Sequence, residues 1–481
     1  KILHQGAVNG VPGSCHELSA AYDLGILIDC GLFQGLKPQE GMTESQFETD
    51  FSIVHIKALI VTQVHIDHIG RIPYLLAVSF KGPIYCTEPS GALFPLVLED
   101  AFTIGFTRNR SLIERFLKLA AESCSAALWA VVNVSDGLAI KFKPGGHILG
   151  SAYVECKGGW PASQESDFSY NLCAPYFAVI EFSQNALHCD TLVIEELMVI
   201  SSMKIERTAP IIQAVIEKTV IDIGVVLIPV FSIGRTQELR YELEALITKI
   251  PTKHYLRTAL ADIEIVIDSF PTRKFTAVYK AGTLFGWGGT AEGECLPASS
   301  IFEELTTIND NKSHLRTIEY LKKLARPTIV LAASGMYGIV NYLKALVCEK
   351  RTDILLVGGY AGHDIHGYGQ RGGYVMFDNE RYDLHARVHT ILGYSARADQ
   401  NDLLKLLNEC VVNRVRFGLL MAMTNQTDIE RTLLVIVGRY IKERDSLNTT
   451  LLILLSNADE PKNCFIFNGS SCTALLLASH L

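Results

Sequence analysis

Residues 56–77 read IKALIVTQVHIDHIGRIPYLLA. KALIVTQ predicts a short buried strand, and GRIPYLLAV predicts a helix with Pro73 in its first turn, where a missing N–H costs nothing. Between them lies VHIDHIG. A loop running from a strand end to a helix start can aim several side chains at one point. In a tight His-x-His-x-Asp-His run, alternate residues face the same way and the last pair reaches a neighbouring point. Imidazole nitrogen and carboxylate oxygen are the donors zinc prefers, and two ions held by one loop activate water for attack on a phosphodiester. Here His65, Asp67 and His68 fit the run, but Gln63 stands where its first histidine belongs.

The rest of the chain repeats the strand–loop–helix theme. ILIDCGLFQG is an apolar run closed by Gly31, a strand entering a loop. KGPIYCT is another strand, and SGALFPLVLEDAF and LIERFLKLAAE are helices by their apolar spacing. AIKFKPGGHILGSAYVEC reads as strand, Gly-rich loop, strand, and YFAVIEFSQ and TLVIEE as further strands. From about residue 205, longer helix–strand units follow: APIIQAVIEKTV, GVVLIPV, GRTQELRYELEALITKI, IEIVID, RPTIVLAAS and TDILLVGGY. This is the alternation of a parallel sheet covered by helices. Residues 281–315 read as an irregular, Gly-rich surface excursion. A chain of 481 residues is too long for one small core, and two or three domains are expected.

Composition excludes some classes. The net charge of −8 gives no global attraction to nucleic acid, so any phosphate-binding surface must be local. The twelve cysteines include no C-x-x-C pair, which argues against a zinc ribbon or disulfide scaffold and for a reducing cytoplasm. No apolar run reaches the length of a membrane span. The start, KILHQGAVNG, lacks the long apolar segment of a secretory signal.

Several stretches, taken in order, resemble the metallo-β-lactamase fold, and within it the β-CASP group of RNA-processing nucleases. They are LIDCGLFQG, VHIDHIGRIPYL, GGHILGSAYVE, FSQN, TLVIEE, VVLIPVFSIGRTQELRYEL, IVIDSF, IVLAASGM and GYSARADQ. The resemblance spans roughly residues 1–400. It implies an α/β protein: an αββα metallo-β-lactamase sandwich (1–204, with a return segment over 391–455) and an inserted β-CASP domain (205–390). Residues 456–481 remain as a C-terminal tail. It also implies two zinc ions and a cleft between the domains that threads single-stranded RNA. By this resemblance His65 and His147 bind the first zinc, Asp67 and His68 bind the second, and Asp29 orients ligands from behind. Asp67 and Glu195 belong to the catalytic set. Ser334 stands at a position that meets an RNA phosphate, and Arg235, at a helix start, contacts either an RNA phosphate or a carboxylate.

The chain departs from this pattern at specific residues. Gln63 replaces a histidine, Asn185 replaces the metal-bridging aspartate, and Arg397 replaces the general-acid histidine. VRFGLLMAM lacks the last ligand histidine. Amide oxygens are poor zinc ligands beside imidazole and carboxylate. A guanidinium does not release a proton near neutral pH, although it can grip a phosphate. Loops near the site are also short, while strands and helices are intact. His188 and Asp190, close after Asn185, are either substitute ligands or surface residues of a shortened loop; His363 and His366 read as part of a Gly-rich loop, and His385 and His389 as structural residues on one strand.

Three functions follow. The first is a metal-dependent phosphodiesterase acting on RNA, impaired by its lost ligands. The second is a pseudoenzyme that binds RNA or a partner nuclease, as a homodimer or as a heterodimer with an active β-CASP protein. The third is a small-molecule ester or thioester hydrolase, against which the β-CASP segment argues.

Overall fold

The computed structural model describes residues 2–5, 13–21, 23–32, 51–105, 109–127, 131–158, 165–169, 188–197, 208–249, 263–268, 271–284, 306–308, 311–323, 326–332, 335–357, 373–377, 379–391, 411–420, 450–457, 460–468 and 475–478. The chain divides into two compact units. One comprises Lys1–Pro175, Glu181–Ile200 and Arg397–Leu481, and the other Tyr176–Ile180 and Ser201–Ala396.

The first unit opens with β1 (Ile2–His4), β2 (His16–Ala21), β3 (Leu24–Ile28) and β4 (Ile56–Ile60). Two short helices follow, α1 (Ile66–Ile69) and α2 (Ile72–Ala77), with Pro73 in the first turn of α2. Next come β5 (Ile84–Thr87), α3 (Glu88–Gly105), α4 (Arg110–Ser123) and β6 (Cys124–Ala127). β1 to β6 form one sheet in chain order, antiparallel up to β3 and parallel beyond it. The Asn109 side chain accepts from Leu112 N at 3.2 Å and so caps α4.

A second sheet starts with β7 (Val131–Ser135), β8 (Leu138–Pro144), β9 (Ala152–Gly158), β10 (Glu165–Ser169) and β11 (His188–Leu197). The two sheets pack face to face. Leu18, Ile26, Ile28, Ala58 and Ile60 of the first meet Ile140, Phe142, Ala152, Val154 and Val193 of the second in one buried cluster. Strand alternation sends Leu27 and Leu59 to the other face of the first sheet, where both are fully buried on the side of the helices.

The second unit is a parallel sheet with both faces covered. Its elements are α5 (Thr208–Asp222), β12 (Val225–Pro229), α6 (Arg235–Lys249), β13 (Glu264–Asp268), α7 (Thr272–Leu284), β14 (Thr306–Ile308) and α8 (Asn311–Lys322). They continue with β15 (Thr328–Ala332), α9 (Gly335–Leu346), β16 (Thr352–Val357), the hairpin β17 (Tyr374–Phe377) and β18 (Glu380–Asp383), and β19 (Arg387–Ile391). The strand order is β14-β13-β15-β12-β16-β19. Val226 and Ile228 face α5 and α6, while Val225 and Leu227 face α8 and α9. That is why VVLI is apolar without alternation. Residues 281–315 are more regular than their composition suggests, since they hold the end of α7, β14 and the start of α8. His389 lies in β19, but His385 precedes that strand.

The chain then returns to the first unit. β20 (Val411–Leu420) pairs in parallel with β11, and β21 (Thr450–Asn457), β22 (Glu460–Asn468) and β23 (Leu475–Ala478) extend the same sheet. VRFGLLMAM therefore begins in a strand interior.

Candidate metal centre

The site grows from the carboxyl ends of β3 and β4. Asp29 follows β3 with a left-handed backbone, φ 59°, and is fully buried. An L-residue held there costs about 1 kcal/mol or more, so the surroundings must fix it. They do. Asp29 Oδ1 accepts from Thr62 N at 2.8 Å. Its Oδ2 accepts from Thr62 Oγ1 at 2.7 Å, His68 Nδ1 at 2.8 Å and Ser14 Oγ at 3.4 Å. The backbone beyond Asp29 lies flat against α1: Cys30 N donates to His68 O at 2.8 Å and Leu32 N to Ile66 O at 3.1 Å. A Cβ on Gly31 would stand 1.5 Å from Asp67 O, so only glycine fits between the two segments.

His65 is the residue before α1, and Asp67 and His68 lie within its single turn. His68 is fully buried. Its Nδ1 faces Asp29, whose carboxylate only accepts, so Nδ1 carries the proton and Nε2 presents its lone pair. That lone pair meets Gln63 Nε2 at 2.7 Å. Gln63 is itself buried, and its Oε1 has no hydrogen-bond partner among the described residues. Asp67 Oδ2 stands 3.8 Å from His68 Nε2.

The loop between β8 and β9 brings His147. Gly146, His147 and Gly150 all have positive φ, at 74°, 64° and 83°. Thr87 Oγ1 and Ser90 Oγ donate to Gly150 O at 2.6 and 2.9 Å, clamping the loop to the start of α3. His147 Nε2 then lies 3.2 Å from His65 Nδ1, a hydrogen bond in which one ring donates to the other. Two nitrogens on one tetrahedral zinc lie about 3.3 Å apart, from Zn–N bonds of about 2.0–2.1 Å. Behind the site, burial pushes the His16 imidazole well below its ordinary range, so it adds no positive charge there.

The structure thus brings Asp29, Gln63, His65, Asp67, His68 and His147 together. Asn185, Ser334 and Arg397 lie outside the described residues, and of Glu195 only the backbone in β11 is described. Arg235 belongs to the second unit, where it starts α6 and is ion-paired to Glu238. Burial raises that Glu238 carboxyl to about 7, although Arg235 opposes the rise. Thr62, Thr87 and Ser90 position the site but carry no motif. Thr62 alone could have been suspected, from its place beside Gln63.

These donors do not fit a two-zinc centre. His65 and His147 keep a ligand spacing, but the metal-facing nitrogen of His68 is already taken by an amide. Among the described residues, no three His, Cys, Asp or Glu side chains stand together as a ligand set.

A two-sheet sandwich with this loop, and a parallel α/β unit interrupting it, defines the metallo-β-lactamase class with an insertion. Comparison with known proteins agrees. Residues 236–364 match the Beta-Casp domain, and residues 381–412 match the Zn-dependent metallo-hydrolase RNA specificity domain. The chain is similar to Ribonuclease TTHA0252 of Thermus thermophilus, with 28% identity over 85% of this chain and 90% of that protein. It is also similar to Transcription termination factor FttA of Methanococcus maripaludis, with 26% identity over 80% of this chain. For FttA of Thermococcus kodakarensis the identity is 27% over 73% of this chain. The chain spans 61% and 54% of the length of those two archaeal factors. The chain thus carries a Beta-Casp domain followed by an RNA specificity segment of Zn-dependent metallo-hydrolases.

Proposed function

We propose that this chain is an RNA-directed hydrolase of the β-CASP type whose phosphodiester hydrolysis is impaired. The observation that carries this reading is the contrast between the two halves of the site. His65 and His147 keep the separation of two ligands on one zinc, whereas His68 is capped. The family's zinc would supply water activation if two ions were held, and among the described residues no group of three ligand side chains supports two. What the chain's own residues do is narrower. Asp29 fixes the His68 ring, and Thr87 and Ser90 fix the His147 loop.

Several assignments belong to this reading. Arg235 and Ser334 contact RNA phosphates, and Asp67 and Glu195 are remnants of the catalytic set. Asn185 and Gln63 occupy lost ligand positions. Arg397 grips a phosphate but delivers no proton to a leaving oxygen. The substrate is single-stranded RNA; a relative named as a ribonuclease and the match to an RNA specificity domain support RNA as the substrate class. The protein works in the cytoplasm. Free thiols at Cys15, Cys30, Cys86, Cys124, Cys156 and Cys348 support that placement, and no helix among the described residues is long and apolar enough to cross a membrane.

The Gln63–His68 bond favours a second reading, a pseudoenzyme that holds RNA without cutting it, beside an active β-CASP nuclease or a second copy. One experiment separates the two. The purified chain is dialysed against a weak chelator, its zinc content measured, and a labelled RNA oligonucleotide added over a salt series. The first reading expects less than two zinc per chain, salt-dependent RNA binding and slow cleavage abolished by strong chelators. Binding without any cleavage selects the second reading. Two zinc with rapid cleavage overturns the impairment, and no RNA binding overturns both.

A further inference from the structure

A lost ligand explains only what Gln63 cannot do. The structure shows what it does instead. Its side chain is 1% exposed, so packing and not water decides where the amide goes. Its hydrogen bond runs from Nε2 to His68 Nε2 at 2.7 Å, while Oε1 is left without a partner among the described residues. A buried acceptor left unsatisfied costs about 1–3 kcal/mol. Turning the amide over would bring Oε1 against the imidazole lone pair, acceptor to acceptor. The observed orientation is therefore dictated by the His68 tautomer, which Asp29 sets through Nδ1 at 2.8 Å.

An N–H aimed at an imidazole lone pair is the neutral counterpart of a cation on the same nitrogen. A zinc ion on His68 would lie about 2.0–2.1 Å from Nε2 along that lone pair. With an N–H bond of about 1.0 Å, the amide hydrogen already stands about 1.7 Å away in a straight bond. Both cannot occupy the direction. We infer that Gln63 is a built-in stopper of the second-metal subsite: its amide takes the cation's place on His68 and confines divalent ions to His65 and His147. The inference rests on the reading of this cluster as the family's metal centre.

The stopper predicts which histidines answer to metal. In the intact chain, with histidine imidazoles labelled for NMR, added Zn2+ moves the ring signals of His65 and His147 and leaves those of His68 in place. In Gln63→Ala the amide is gone. The His68 Nε2 signal then moves as well, and Co2+ bound per chain rises by one. A His68 shift on adding Zn2+ to the unaltered chain overturns the inference. So does a folded Gln63→Ala variant that binds no more Co2+ than the parent. Should that variant not fold, the spectrum of the unaltered chain decides alone. Failure of the underlying reading looks different: no histidine responds to Zn2+ in either protein.

Discussion

Asp29 shows how much one buried carboxylate organises. It accepts from Thr62 twice, from His68 and from Ser14, and so ties the ends of β3 and β4 to α1. Asparagine tolerates the left-handed backbone that Asp29 adopts, so Asp29→Asn isolates the charge from the conformation. Its amide still accepts through one oxygen but presents N–H groups where Thr62 and His68 now donate. We expect a loss of about 2 kcal/mol in stability at pH 7, read from urea unfolding, because a charge-assisted buried bond is worth about that. An unchanged midpoint would mean that Thr62 and His68 do not depend on the carboxylate. In the sequence His65, Asp67 and His68 stand out by their close spacing, and His147 only by the resemblance of GGHILGSA. The direction of Gln63 was not legible there. A substitution reveals which chemistry is lost, while the new bond depends on the tautomer set by a residue 34 positions earlier.

At the scale of elements, buried apolar runs were the readable signal. GVVLIPV, IEIVID and RPTIVLAAS became β12, β13 and β15. β14 has three residues, too few for a period, and α8 shows its polar face in NKSHLRTIEYLK, so both were hidden in a stretch that read as irregular. Also hidden was the clasp between β16 and the edge strand β19. Asp353 accepts from Arg387 at 2.7 and 2.5 Å and pairs with His389 at 2.8 Å. Burial alone would raise the Asp353 carboxyl, but the hydrogen bonds from Arg387 and His389 outweigh it and hold it at about 2. The unfolded carboxyl titrates near about 3.9, so the folded group has the lower pKa. Its contribution, on the order of 2 kcal/mol, is complete above about pH 4 and is lost as pH falls toward 2. Urea midpoints measured between pH 5 and 2 should fall more steeply for the parent chain than for Asp353→Asn. Parallel curves would show that the clasp is not linked to protonation.

At the scale of the whole molecule, the two units differ in how they use the chain. The second unit's described sheet strands lie within residues 225–391, and both faces are covered by helices from residues 208–346. The first unit is interrupted. β11 finds a parallel partner in β20, more than 200 residues later, with β21 to β23 beyond it. A strand cannot leave a row of backbone donors and acceptors unpaired without cost. Ending the chain after residue 396 should therefore harm the units unequally. Residues 201–396 made alone should fold, showing helical and sheet circular dichroism and one cooperative urea transition. Residues 1–396 should keep that transition but lose the one belonging to the first unit, exposing the β11 edge and aggregating. Hydrogen exchange separates the cases by segment: protection in β12, β15 and β16 should survive truncation, and protection in β3, β4 and β9 should fall. Equal loss in both units would show that their stabilities are coupled, and that the second unit's own sheet does not suffice for its folding.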